Sequence, residues 1–263
     1  MNSAGSPVLE PQTVLAARRR LITMHYRSKV GHLGGNLSAL DAMLVIFHRY
    51  LQSSDRFILS KGHSAGAIYT ALWSVGRLTD EDLDTFHKDD TLLAGHPPCK
   101  GLADVPFATG SLGHGLSLAV GTAFGKHLMR EPGHVFCMTS DGEWQEGATW
   151  EALIFARHRG LDNLTVLIDH NRLQGFGGTD DVASMAPLWD RLNGFDLDLH
   201  VIDGHDFAAI NAALSKPQRG MKVIVLETVK GHGVGFMANR MEWHYLPLNA
   251  EQYEQAMQEV AQA

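Results

Sequence analysis

An apolar run, Val135-Phe-Cys-Met-Thr139, leads into Ser140-Asp-Gly-Glu-Trp-Gln-Glu-Gly147. A helix-forming stretch follows over 148–158, and a second apolar run, Leu164-Thr-Val-Leu-Ile-Asp169, ends just before Asn171. This strand–helix–strand pattern most constrains the fold. Two continuously apolar strands joined by a helix must lie parallel, and a parallel sheet is covered by helices on both faces. Phe57-Ile-Leu59, Val201-Ile202 and Val223-Ile-Val-Leu-Glu227 read as further strands, with helices between them. The fold class is therefore α/β, and ligands in such sheets bind beyond the carboxyl ends of the strands. Asp141, Asn171 and the Gly231 loop all follow predicted strands, so three candidate site segments share one edge of the sheet.

The pattern predicts other elements. A helix starts at Pro11, carries Val14, Leu15, Leu21, Ile22 and Met24 at helical spacing, and is broken by Gly31, Gly34 and Gly35. Ser38 is a candidate cap for the next helix. Thr79-Asp-Glu-Asp82 has the look of a capped start, and residues 88–111 are irregular. Helical segments are expected over 112–129, near 206–217 and over 249–261. No repeat or linker interrupts the chain. Residues 1–263 read as one domain, with 1–10 as a flexible lead-in.

A hard divalent cation takes oxygen ligands, few of them from protein and the rest from phosphate and water. Asp141, Asn171 and a nearby backbone carbonyl, that of Leu173, suit Mg2+ or Ca2+ anchoring a diphosphate. Gly142 lets a backbone N–H approach that phosphate, and the helix starting near Gly147 adds a favourable dipole. The net charge of −7 argues against non-specific nucleic acid binding. Cys99 and Cys137 form no CxxC pair, which fits reduced thiols and a cytoplasmic setting. Neither a signal peptide nor a membrane-spanning run is visible. The GxGxxG fingerprint is not matched, HExxH is absent, and NAD and zinc chemistry are disfavoured.

Six segments, in order, resemble the first half of transketolases over roughly residues 11–247. They are Gly31-His-Leu-Gly-Gly35, Ser60-Lys-Gly-His-Ser64, Ala94-Gly-His-Pro97, Thr109-Gly-Ser-Leu-Gly-His-Gly115, Asp141-Gly through Trp150-Glu-Ala152 and Asn171, and Lys230-Gly-His-Gly-Val-Gly-Phe-Met237 with Glu242-Trp-His244. The departures are Ser140 where the family has Gly, and His114 where pentose phosphate transketolases usually carry Gln. The resemblance implies a thiamine diphosphate-binding fold. It assigns Asp141, Asn171 and the Leu173 carbonyl to the metal, and Gly142 and His63 to the diphosphate. Gly110 and Leu112 would bind the aminopyrimidine, and Glu146 would link cofactor sites across a subunit contact. His32, His63, His96 and His244 would line the space above the thiazolium, His244 also touching the cofactor, and imidazoles titrating near neutrality suit the proton transfers of ketol transfer. His114 is either a structural swap or an altered site contact.

The same resemblance implies a missing half. In the family a second domain activates the cofactor and reads the sugar phosphate, and nothing after Trp243 matches it. The expectation is a split, two-chain transketolase. This chain would be the N-terminal, thiamine diphosphate-binding subunit. It would join a C-terminal, pyrimidine-binding chain in an α2β2 heterotetramer. It would move a two-carbon ketol unit from a ketose to an aldose. The alternatives are half of a thiamine diphosphate enzyme acting on 2-oxo acids, or a non-catalytic protein retaining the fold.

Overall fold

The computed structural model describes residues 7–98 and 100–262. Cys99 and residues 1–6 of the expected lead-in lie outside the described residues. In chain order the elements are α1 (Pro11–Ser28), α2 (Leu33–Val45), β1 (Arg56–Leu59), α3 (Ala65–Ser74), α4 (Asp80–Leu83), α5 (Gly115–Met129), β2 (Val135–Ser140), α6 (Gly147–Arg159), β3 (Leu164–His170), β4 (Leu173–Gln174), β5 (Gly177–Gly178), α7 (Thr179–Ala183), α8 (Leu188–Asn193), β6 (Asp198–Asp203), α9 (Phe207–Ser215), β7 (Lys222–Glu227) and α10 (Ala250–Glu259). The main sheet has the order β1-β2-β3-β7-β6, and every pairing in it is parallel. β4 and β5 form a small antiparallel hairpin.

Successive strand residues point to opposite faces, and two hydrophobic clusters divide the strands accordingly. Phe57, Leu59, Phe136, Met138, Leu167, Ile224 and Leu226 pack with α1, α2, α3 and α9. Ile58, Val135, Cys137, Leu164, Val166, Ile168, Val223 and Val225 pack with α5, α6 and α8. Helices thus cover both faces, as the apolar strands require. Registers Ser140↔Asp169 and Asp169↔Leu226 bring the carboxyl ends of β2, β3 and β7 level.

The structure differs from the sequence reading where tertiary contacts override local signals. Gly34 and Gly35 do not break a helix; they lie in the first turn of α2. Ser38 is not a cap. It sits buried inside α2, and its Oγ donates to Asp169 Oδ2 at 2.7 Å. The helix expected from Leu112 starts at Gly115, because Gly113 takes φ +79°. Thr79 does form a capping box with Asp82, although its helix is only Asp80–Leu83. The β4–β5 hairpin and α8 have no counterpart in the sequence reading, being too short to show a period.

One ion pair ties these layers together beneath the carboxyl edge. Lys61, just after β1, and Asp169, in β3, are both fully buried and in direct contact. Lys61 Nζ also donates to the Gly35 carbonyl of α2 at 3.0 Å. Thr228, after β7, donates to the other Asp169 oxygen. Burial would push the Asp169 carboxyl up, but the Lys61 charge and these hydrogen bonds hold it below the ordinary carboxylate range. Removing one partner strands the other charge without solvent. Lys61→Met is expected to cost about 3–5 kcal/mol in a denaturant melt, and Lys61→Met/Asp169→Leu to recover part of that loss. A Lys61→Met protein as stable as the parent would contradict this account.

Candidate active site

A cleft of about 210 Å³ opens at the carboxyl edge, lined by residues from most of the site segments the sequence singled out but by none from the Gly231 loop. His32 precedes α2, His63 follows β1, His96 and Gly110 come from the irregular 88–111 stretch, Gly142 follows β2, Asn171 and Leu173 follow β3, and His244 comes from the turn Met241–His244. Four imidazoles converge there. The His32 ring lies 5.7 Å from that of His63, 5.8 Å from His96 and 5.1 Å from His244, and His63 lies 5.2 Å from His244.

The backbone is held unusually to achieve this. His32 takes the left-handed region at φ 64°, which costs a non-glycine residue of order 1 kcal/mol. Its N–H donates to the His244 carbonyl at 3.2 Å, which joins the two segments. Gly110 has φ 148°, and a Cβ there would lie 2.8 Å from the His96 ring, so only glycine lets that imidazole in. A Cβ at Gly142 would instead meet no protein atom closer than 3.7 Å. The Gln174 side chain lies at ordinary contact distance there, and the Gly142 backbone still lines the cleft, where a phosphate could approach it.

Burial lowers the histidines. It brings His32 to about 4, with His96, Lys230 and Lys61 adding to the effect. His244 falls to about 3 through burial and the Lys230 charge, and His63 and His96 are also lowered, by burial first. The expectation of imidazoles titrating near neutrality is thus corrected. All four are neutral at pH 7, able to donate from one nitrogen and accept at the other.

The oxygen donors lie at and beneath the floor of the cleft, Asn171 and Leu173 lining it and Asp141 buried below. Asp141 Oδ1 accepts from Gly142 N–H at 2.8 Å, and Oδ2 accepts from Arg172 N–H at 2.6 Å and Thr179 Oγ1 at 3.2 Å. The Asn171 amide donates to Asp169 at 3.0 Å, which fixes its orientation, and its Oδ1 accepts from the Leu173 N–H at 3.1 Å with a second lone pair left over. The Leu173 carbonyl accepts from Lys230 Nζ at 3.1 Å. This oxygen-only set fits a hard divalent cation. Burial and the Asp169 charge push the Asp141 carboxyl up to about 6, the signature of an anion short of positive charge.

Two predicted site residues, Asp141 and Glu146, do not line the cleft, Asp141 being buried beside it. Glu146 is exposed, with its side chain against Gly113, and Leu112 lines the cleft while His114 close by faces a separate surface hollow. Ser140 lines the cleft, and its N–H donates to the fully buried Glu143 at 2.9 Å. Sequence reasoning missed the roles of Glu143, Lys61, Lys230 and Tyr245, which lines the cleft and donates its hydroxyl to the Gly175 carbonyl at 2.9 Å. Glu143 also accepts from Ser60 Oγ at 2.5 Å and Gly113 N–H at 3.1 Å, locking three loops together. Lys230 donates to Leu173 O and lies 3.1 Å from His244 Nδ1, and burial lowers its ammonium to about 8. Lysines inside glycine-rich, otherwise apolar motifs were the available signal.

Asp141 sets a pH dependence. Its folded pKa is raised, so between the ordinary carboxylate value and about 6 the folded chain binds a proton the unfolded chain does not. Its contribution to stability therefore falls as pH rises through that window, and a divalent cation competing with the proton offsets the loss. The Mg2+-dependent rise in Tm is expected to be small at pH 5, larger at pH 7.5, and absent in Asp141→Asn. Calorimetry across this range checks it; a Mg2+ effect that is the same at both pH values would contradict the assignment.

The chain matches the family described as transketolase, thiamine diphosphate binding domain, over residues 11–261. It is 33% identical over 261 residues to one subunit of the apulose-4-phosphate transketolase of Phocaeicola vulgatus, covering 93% of this chain and 91% of that one. It is also 33% identical over 243 residues to a 6-deoxy-6-sulfo-D-fructose transketolase subunit of a Clostridium species, covering 88% of each. The transketolase structure from Leishmania mexicana superposes with a TM-score of 0.87 at 25% identity, over 94% of this chain but only 40% of that one. With the parallel sheet, the cleft at its carboxyl edge and a family match along nearly its whole length, this chain belongs to the transketolase thiamine diphosphate-binding domain family.

Proposed function

We propose that this chain is the thiamine diphosphate-binding subunit of a split transketolase, a transferase of carbohydrate metabolism that moves a two-carbon ketol unit from a ketose to an aldose. The observation that carries the reading is the convergence of four neutral imidazoles above an oxygen-donor floor in one cleft. The split reading is supported by two relatives named as subunits, of which this chain covers 91% and 88%.

Asp141, Asn171 and the Leu173 carbonyl would hold Mg2+ or Ca2+. The Gly142 N–H and His63 would meet the diphosphate, with Lys230 supplying positive charge beside them. Backbone groups of Gly110 and Leu112 would hold the aminopyrimidine. When bound, thiamine diphosphate supplies the carbon nucleophile and electron sink for breaking the bond next to a ketose carbonyl. His32, His96 and His244 hydrogen-bond the substrate's oxygens, and a neutral imidazole among them accepts the hydroxyl proton released on cleavage and returns it to the acceptor's oxygen. Their depressed basicity keeps an acceptor nitrogen available at neutral pH.

The exposed Glu146 would connect cofactor sites across the contact between two copies, within an α2β2 assembly completed by a pyrimidine-binding partner chain. Among the described residues no helix is long and apolar enough to cross a membrane. The two subunit relatives are named for apulose 4-phosphate and 6-deoxy-6-sulfo-D-fructose, which supports a dedicated ketose as donor.

The chain is expected to co-purify from its native cells with an equal amount of a chain resembling the second half of transketolase. That complex should transfer ketol units from a ketose, whereas the chain alone should not. Turnover by the single chain would overturn the split, and use of pyruvate instead of a ketose would overturn the reaction class.

A further inference from the structure

Away from the cleft lies a cluster that the proposed chemistry does not use. Asp41, fully buried in α2, faces Arg18 of α1, His205 from the turn after β6 and His232 from the loop after β7. Among the described residues these are the one Asp/His set with the spacing of a metal site. The geometry argues against a metal. Arg18 already donates to both Asp41 oxygens, at 3.1 and 3.2 Å. The two imidazoles stack in parallel, 3.5 Å apart and 9° from coplanar, and their in-plane lone pairs cannot both aim at one ion.

The hydrogen bonds describe something else. His205 Nε2 accepts from the Val229 backbone N–H at 2.9 Å, so that nitrogen carries no proton. Nδ1 is therefore the protonated nitrogen, and it donates to Asp41 Oδ2 at 2.9 Å. The carboxylate, itself fixed by Arg18, selects the tautomer, and the tautomer holds Val229. Val229 immediately precedes Lys230, whose ammonium contacts the Leu173 carbonyl and the His244 ring. The flanking residues are tied too, Thr228 to Asp169 and the Gly231 N–H to the Gly34 carbonyl at 2.9 Å. Val229 is the link in this strap whose only polar anchor outside it is a side chain capable of changing protonation.

We infer that His205 is a positioning residue, fixed as its Nδ1–H tautomer by Asp41, that sets the placement of Lys230 against Leu173 and His244. The groups facing it are Asp41 from α2, Arg18 from α1, His232 stacked on its ring, and Asp203 at the end of β6, which accepts from the His205 N–H at 2.8 Å. Burial and the neighbouring His205 hold His232 down at about 4, so the stacked ring is uncharged at neutral pH and covers His205 without competing for Asp41. Protonating His205 would replace the acceptor at Nε2 with a donor opposite another donor and release Val229. The consequence for the cofactor rests on the function proposed above; the consequence for His244 does not.

Two variants separate positioning from folding. His205→Gln reaches as far as Nε2 and can still present an oxygen to the Val229 N–H. His205→Asn reaches only as far as Nδ1 and keeps the Asp41 contact alone. In the purified chain, 15N–1H spectra should show His205 with its proton on Nδ1 and with Nε2 accepting from the Val229 N–H. The His244 titration should move upward by about one pH unit in His205→Asn, as the Lys230 charge is freed from its side, and stay near the parent value in His205→Gln. In the complex with its partner chain, the Asn variant should raise the KM for thiamine diphosphate severalfold with kcat little changed. An Nε2–H tautomer for His205, or a His244 titration unchanged in His205→Asn while the thermal stability falls, would overturn the inference. A parent chain that binds no thiamine diphosphate would count against the proposed function and leave the His244 result standing on its own.

Discussion

The buried contact between Lys61 and Asp169 is the constraint on which the rest of the site depends. Neither side chain has access to water, so each charge must be met by the other and by directed hydrogen bonds. The donors that complete the shell come from different elements: Ser38 in α2, Thr228 after β7 and the Asn171 amide after β3. Satisfying one carboxylate therefore fixes α2, the loop after β1 and the ends of β3 and β7 relative to each other. The same shell turns Asn171 so that its oxygen, which accepts from the Leu173 N–H, keeps one lone pair for a ligand. It also places a second negative charge near Asp141, which keeps that carboxyl poorly neutralised.

The electrostatics divide the cleft into two layers. Below, Asp141, Asn171 and Leu173 offer oxygen, and Lys61 and Lys230 offer positive charge. Above, four imidazoles are kept neutral by burial, and His32, His63 and His244 also by those same lysines. An anionic group is stabilised in the lower layer only, while the upper layer can exchange protons without carrying charge. The layers meet at the contact between Lys230 and His244, so the segment that carries Lys230 affects both. This is why a cluster as remote as Arg18, Asp41 and His205 bears on the site: its hydrogen bond to Val229 ends one residue from that contact.

Much of the site was legible because its residues fall at the ends of elements with strong patterns. The Asp141 loop and Asn171 bracket a helix between two apolar strands, and that arrangement alone places both at one edge of a parallel sheet. The histidines of the glycine-containing motifs were legible as candidates, but not their charge state, which depends on burial and on lysines distant in sequence. Ser38 reads locally as a helix cap, and only the approach of Asp169 explains why it is retained inside α2. Glu143 reads as one more acidic residue in an exposed-looking loop, yet it is fully buried and bonded to three segments.

The sequence by itself determined the α/β class, the parallel sheet and the order of the site segments, because apolar periodicity and chain direction are local properties. Tertiary structure alone decided which side chains meet. The contacts of Lys61 with Asp169, Lys230 with His244 and Asp41 with His205 span between 14 and 164 positions. So did the neutral state of the imidazoles, since desolvation and the fields of neighbouring charges exist only once the chain has closed around them.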